Sequence, residues 1–175
     1  MRIIILMLFI YSISNAGNFT LMSDDITGQF TIKQEYQGFG CSGENKSPAL
    51  KWSDAPKNTK SFAITMYDPD APTGSGWWHW LAFNIPKTTT SIASNASDLK
   101  LLPKGTVEGT NDYGSIGFGG ACPPKGDGDH RYIITVYALD VDSLKIDETT
   151  NQAVAGYMIN AHTIKKSSII SYYAR

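Results

Sequence analysis

Three segments of the chain admit one secondary structure, and together they set the fold class. Ser61–Tyr67 (SFAITMY), Trp78–Ile85 (WHWLAFNI) and Arg131–Leu139 (RYIITVYAL) place β-branched and aromatic residues at successive positions. No helical period runs through them, and bulky side chains at both even and odd positions suit a strand covered on two faces. Such strands belong at the centre of a layered sheet. The 16 Gly and 8 Pro supply turns for many strands rather than breaks between long helices. Shorter strands are predicted at Phe19–Ser23 and Gln29–Ile32, separated by an Asp24-Asp25 turn. The stretch Ser42–Lys60 is rich in Ser, Asn, Pro and Lys, and reads as loop around Leu50-Lys51-Trp52.

One helix stands out. Thr149-x-x-Gln152 has the capping-box spacing, and Ala153, Val154, Tyr157, Met158 and Ala161 recur at helical intervals after it. Gly156 interrupts that run. Glycine costs about 1 kcal/mol relative to Ala in a helix, so another backbone is predicted to approach there. Ser167–Tyr173 reads equally well as an edge strand or a short helix. No repeat, low-complexity tract or long linker divides the chain, so the prediction is a single, mainly antiparallel β domain with long loops and a helix near the C-terminus.

The first sixteen residues stand apart from that domain. Arg2 supplies a short positive region, Ile3 to Tyr11 is an apolar run too short to span a bilayer, and Ser14-Asn15-Ala16 has the small residues of a cleavage site. The expectation is a signal peptide over residues 1–16 and a mature domain over 17–175, exported to the periplasm or the exterior. No later run approaches the ~18 apolar residues of a membrane-spanning helix. Fifteen Lys and Arg stand against sixteen Asp and Glu. That balance excludes a polybasic membrane anchor and argues against the basic face a nucleic-acid binder needs. Cys41 and Cys122 are the only cysteines. An even count in an oxidising compartment reads as one structural disulfide, and the competing redox or metal pair lacks a CxxC spacing.

Residues that carry chemistry fall in three clusters. Asp68-Pro69-Asp70-Ala71-Pro72 follows the first long strand. Its prolines stiffen the turn, and its carboxylates either cap backbone amides or face a binding site. Trp77-Trp78-His79-Trp80 opens the next strand. Strict alternation puts Trp77 and His79 on one face and Trp78 and Trp80 on the other, which makes His79 a satisfied core histidine or the polar floor of an aromatic pocket. The third cluster runs from Asn111 to Tyr132. Its closely spaced glycines, Gly119 and Gly120 among them, would let backbone N–H groups approach an anion. Pro123-Pro124 stiffens the far wall, while His130 and Tyr132 point to one face of the strand that follows. A phosphate-binding P-loop would need a Lys-Ser/Thr pair and a helix after the glycines, and an EF-hand would need a terminal Glu; both are missing.

These clusters, in this order, resemble the phosphatidylethanolamine-binding protein family. Asp68–Trp80 (DPDAPTGSGWWHW) and Gly117–Asp140 (GFGGACPPKGDGDHRYIITVYALD) carry the likeness. Cys41 to Trp52, Thr59 to Ala63 and Ala155-Gly156-Tyr157 extend it across the mature chain. Within the family the chain is most similar to the bacterial Raf-kinase-inhibitor-like branch of the YbhB/YbcL type, in its exported subgroup. The resemblance implies a sandwich of a large and a small antiparallel sheet with peripheral helices, and a small homodimer is compatible with it. It also implies a cavity for a small anionic ligand such as phosphate, acetate or a phospholipid headgroup. By position, the ligand-binding residues would be Asp68, Asp70, Trp77, His79, Gly119, Gly120, Pro123, His130 and Tyr132. Ser167–Arg175 matches nothing in the C-terminal segment that shapes the pocket rim in eukaryotic members.

On this reading the carboxylates keep His79 and His130 protonated, and two imidazolium groups with loop amides attract the anion. The resulting expectation is a non-enzymatic binding or regulatory protein without cofactor or metal. One alternative is an interaction module, such as a protease inhibitor or host-directed modulator, acting on a protein partner through its outer surface. A metal-dependent hydrolase is the weakest reading, because no nucleophile stands beside a base and the histidines lack a zinc-type spacing.

Overall fold

In the computed structural model, which describes residues 17–175, the three long runs become adjacent central strands. Eleven elements follow in order: β1 (Thr20–Met22), β2 (Gln37–Gly38), β3 (Cys41–Ser42), β4 (Leu50–Ser53), β5 (Ser61–Asp68), β6 (Trp77–Pro86), β7 (Ser91–Ile92), β8 (Val107–Glu108), β9 (His130–Leu139), α1 (Gln152–Ala161) and β10 (Thr163–Tyr173). The large sheet has the order β10-β9-β5-β6-β8, the small one β1-β4-β7, and β2 pairs with β3 as a hairpin. All of these pairings are antiparallel. The predicted signal peptide lies outside the described residues. Among the described residues no helix is long and apolar enough to cross a membrane.

Both faces of the central strands are covered. Phe62, Ile64 and Met66 of β5 and Ile134, Val136 and Ala138 of β9 pack against Leu21, Leu50, Trp52 and Ile92 of the small sheet. On the opposite face Ala63, Phe83, Tyr137 and Leu139 pack beneath Leu144, from the loop after β9, and Ile159 of α1. This double burial is why these sequences carry no polar alternation.

Four local expectations are corrected. Leu50–Ser53 is a strand rather than loop, with Leu50 and Trp52 buried and Lys51 and Ser53 exposed. Gln29–Ile32 is no strand: Gln29 makes one isolated parallel bridge to Tyr172, and the Gln34 side chain accepts from the Thr31 amide and hydroxyl to close a turn. The helix is capped by Asn151, whose side chain accepts from the Ala153 amide. Thr149 instead donates to Asp147. Gly156 faces the Trp78 ring and not a backbone; a Cβ there would lie 3.5 Å from ring carbons.

Ser167–Tyr173 resolves as part of β10, an edge strand paired with β9 from Thr163↔Leu139 to Tyr173↔His130. That register carries the chain end to the beginning of β9. The other feature that shapes the site is a bulge in β6. Tyr67 pairs with Trp78 and Met66 with Trp80, so His79 is an extra residue in the ladder. Strict alternation therefore fails there. Trp78 packs on Tyr67 on one face, while Trp80 joins Met66 in the inter-sheet core, on the same side as His79.

Candidate functional site

The carboxylate of Asp68 holds two elements at once. Its Oδ1 accepts from the amides of Asp70 (2.8 Å) and Ala71 (3.2 Å), folding the proline turn back over the end of β5. Its Oδ2 lies 2.7 Å from Nδ1 of His130, the first residue of the neighbouring strand β9. His130 Nε2 in turn lies 3.1 Å from Asp127 Oδ2. Both ring nitrogens thus face carboxylates, and only the doubly protonated ring donates to both. Burial pulls the His130 pKa down, but hydrogen bonds and charge from Asp68 and Asp127 outweigh it, and the net shift is upward.

His79 behaves oppositely. Its Nδ1 is 2.9 Å from the Gly119 carbonyl and 3.0 Å from that of Gly120. Carbonyls only accept, so Nδ1 carries the hydrogen. Burial is the largest influence on the ring and pushes its pKa down to about 4. The expectation of two imidazolium groups is therefore corrected: the fold favours the charged form of His130 and the neutral form of His79.

The glycine wall is also used differently from the sequence expectation. The amides of Gly117, Phe118, Gly119, Gly120 and Ala121 donate to the Gly109 carbonyl, Ser97 Oγ, the His79 carbonyl, Asn45 Oδ1 and the Gln34 carbonyl. All five are spent within the protein, and none is left for an anion. What the wall supplies is carbonyls that orient His79. Gly120 is required there for space, since a Cβ would run into the backbone of Gln34, Glu35 and Tyr36.

These parts enclose a cavity of about 440 Å³. Of the predicted residues, Asp68, Trp77, His79, Pro123, His130 and Tyr132 line it. Gly119 and Gly120 stand behind His79. Asp70 is turned away: it accepts from the Arg131 amide (2.9 Å), Nε (2.8 Å) and Nη2 (2.7 Å). The Arg131 guanidinium is the main reason its carboxyl is held down at about 2. Two buried donors of the lining residues, the Trp77 Nε1–H and the Tyr132 hydroxyl, have no protein acceptor.

Tyr113, Phe39 and Arg175 are among the lining residues outside the predicted set. Tyr113 stacks on Tyr36 with ring centroids 3.8 Å apart and planes 5° from parallel, and its hydroxyl donates to the Gly120 carbonyl. Phe39 occupies the two-residue turn between β2 and β3 with φ of 53°, and it is 69% exposed at the cavity mouth. Arg175 donates from Nε to the Pro123 carbonyl (2.7 Å) and from Nη1 to the Gly40 carbonyl (2.6 Å). Phe39-Gly40 had a readable signal, a glycine beside a lone aromatic at a strand end. Arg175 had none, because only the β10–β9 register carries it to the cavity. Cys41 and Cys122 form the expected disulfide, which ties β3 to this wall.

Comparison with known proteins agrees with this architecture. The sequence profile described as phosphatidylethanolamine-binding protein matches residues 23–174. The chain is 49% identical over 169 residues to YbcL of Escherichia coli (strain K12), covering 94% of this chain and 92% of that one. It is 44% identical over 157 residues to YbhB of the same strain, covering 88% and 99%. The crystal structure of E. coli YbcL, described as a new member of the mammalian PEBP family, superposes with a TM-score of 0.88 at 48% identity, over 91% of this chain and 99% of that one. A PEBP homologue from Chlamydia trachomatis gives a TM-score of 0.73 at 28% identity, over 93% and 99%.

Proposed function

The chain belongs to the phosphatidylethanolamine-binding protein family, and on that premise we propose that it is a non-enzymatic, exported binding or regulatory protein whose cavity takes a small oxyanion. The ligand class is phosphate, a carboxylate such as acetate, or the phosphate of a lipid headgroup. One observation carries the reading: two buried donors of the cavity-lining residues, the Trp77 Nε1–H and the Tyr132 hydroxyl, have no acceptor in the protein. A buried donor left unpaired costs about 1–3 kcal/mol, and an oxyanion in the cavity removes that cost.

The charge arrangement supports the same class. His130 is held protonated between Asp68 and Asp127, and the Arg175 guanidinium adds a second cation on the lining. Both Asp68 oxygens accept hydrogen bonds, and the His130 ring 2.7 Å away offsets the Asp68 charge. The Cys41–Cys122 bond is consistent with an oxidising compartment outside the cytoplasm, as cleavage after Ala16 requires.

The test is a titration of the mature protein with phosphate and phosphoethanolamine, following the His79 and His130 ring signals by NMR, with His79→Ala and His130→Ala as controls. Saturable shifts that vanish in the variants are the expected outcome. Unmoved rings at millimolar ligand would turn attention to a protein partner on the outer surface.

A further inference from the structure

We propose that the cavity binds its oxyanion together with one proton, held between a ligand oxygen and Nε2 of His79. This deepens the anion reading and rests on it. Gly119 and Gly120 present two carbonyl oxygens to Nδ1, at 2.9 and 3.0 Å, and so fix the ring hydrogen on that nitrogen. In the neutral ring Nε2 is then a bare acceptor. His79 lines the cavity, and with Nδ1 spent on the wall carbonyls, Nε2 is the ring nitrogen left for a ligand. An oxyanion oxygen is also an acceptor. Two lone pairs repel at hydrogen-bond distance, and a proton between them converts the contact into a charge-assisted hydrogen bond.

The surroundings do not supply that proton. From β5, Asp68 has both oxygens committed to the Asp70 and Ala71 amides and to His130. From β9, His130 directs both nitrogens at carboxylates, and Tyr132 packs its ring on His79 at 5.1 Å. From the glycine loop, Tyr113 donates its hydroxyl to the Gly120 carbonyl. Arg175, the remaining charged group on the lining, reaches the Pro123 and Gly40 carbonyls. None of these groups hydrogen-bonds Nε2 among the described residues. Burial keeps the ring neutral in the free protein, as its lowered pKa of about 4 agrees. The proton therefore comes from solvent when the ligand binds.

Linkage then fixes the size of the effect. A phosphate monoester loses its second proton near pH ~6. Above that, each bound monoester takes up one proton, and affinity falls about tenfold per pH unit. The experiment is calorimetric titration of the mature protein with methyl phosphate at about pH 7.5, in buffers that differ in ionisation enthalpy. A slope of observed heat on buffer ionisation enthalpy near one proton per ligand is the expected result. Clear binding with a slope near zero overturns the proposal and leaves the anion site standing. Absence of any binding overturns both.

His79→Gln places an amide donor where Nε2 stood, so binding is expected to persist without proton uptake; uptake unchanged in that variant overturns the assignment to His79. Should the variant fail to fold, the ¹⁵N shift of wild-type Nε2 decides. It moves from the unprotonated to the protonated range on binding, or the proposal falls. Dimethyl phosphate separates the two sources of this chemistry. Binding with the same uptake assigns the ligand to a diester headgroup, and binding of methyl phosphate alone assigns it to free phosphate or a monoester.

Discussion

Asp68 and His130 stand 62 positions apart in sequence, yet their side chains meet at 2.7 Å with each only 3% exposed. The pairing follows from β5 and β9 being neighbours in the sheet. It joins the proline turn to the glycine loop and keeps a positive charge on the cavity lining.

Asp68→Asn tests that pairing. The amide keeps an Oδ1 acceptor for the turn but removes the charge facing His130. The His130 pKa is expected to fall, and stability to drop by about 1–3 kcal/mol. An NMR pH titration of the His130 ring with a urea melt measures both.

The two histidines predict a maximum in stability against pH. His79 is held neutral, with its folded pKa depressed to about 4. Its contribution is complete above the unfolded value of ~6.5 and is lost as pH falls toward 4, an effect of about 3 kcal/mol. The His130 pKa is raised on folding. Its contribution is complete below ~6.5 and is lost as pH rises through the folded value. Together they place the maximum near pH ~6.5. Melting curves from pH 4 to 9 should trace it, and His79→Gln should flatten the acid limb alone.

Asp70 is expected to matter to the turn and not to the ligand. Asp70→Asn weakens a half-exposed pair with Arg131, costing no more than about 1 kcal/mol. Its carboxyl is held at about 2, chiefly by Arg131, so this contribution is present above pH ~3.8 and disappears as pH falls toward 2. Methyl phosphate affinity should stay within about twofold of wild type. A tenfold loss would return Asp70 to the site.

Reduction of Cys41–Cys122 opens a link across 81 positions. The expected cost is about 2–5 kcal/mol, read from denaturant midpoints with and without reductant. Affinity should fall as well, because Cys122 lines the cavity and Cys41 anchors the hairpin that carries Phe39.

Two glycines predict opposite signs. Gly156→Ala places a methyl 3.5 Å from the Trp78 ring, an ordinary contact, and should stabilise α1 by about 0.5–1 kcal/mol. Gly120→Ala drives a methyl into the backbone of Gln34 and Tyr36 and should cost about 1–3 kcal/mol or more. Thermal melts of both variants decide.

Much of this protein was legible in its residues. Strands β5, β6 and β9 declared themselves because burial on both faces leaves no room for polar alternation, and strand identity is a local property. Asp68, Trp77, His79, His130 and Tyr132 were assigned by the family resemblance of the two long motifs, since their local pattern alone fits a turn or a core as well as a site; the structure brings them to one cavity. Leu50–Ser53 was missed because its two buried residues are surrounded by loop-like composition. The helix cap moved to Asn151 because Thr149 found a closer partner in Asp147.

The sequence by itself determined the β class, the disulfide partners and the residue types that gather at one edge of the large sheet. Those properties follow from side-chain size, period and count, all of which are local. Only the tertiary structure decided the charge of each histidine, since that depends on which acceptors the fold brings to each ring. It likewise decided that the glycine amides are spent, that Asp70 faces Arg131, and that the β10 register delivers Arg175 to the cavity. Two histidines that read alike in one dimension became a buried neutral acceptor and a clamped cation, because solvent exclusion and charge pairing exist only between parts of the chain that folding has brought together.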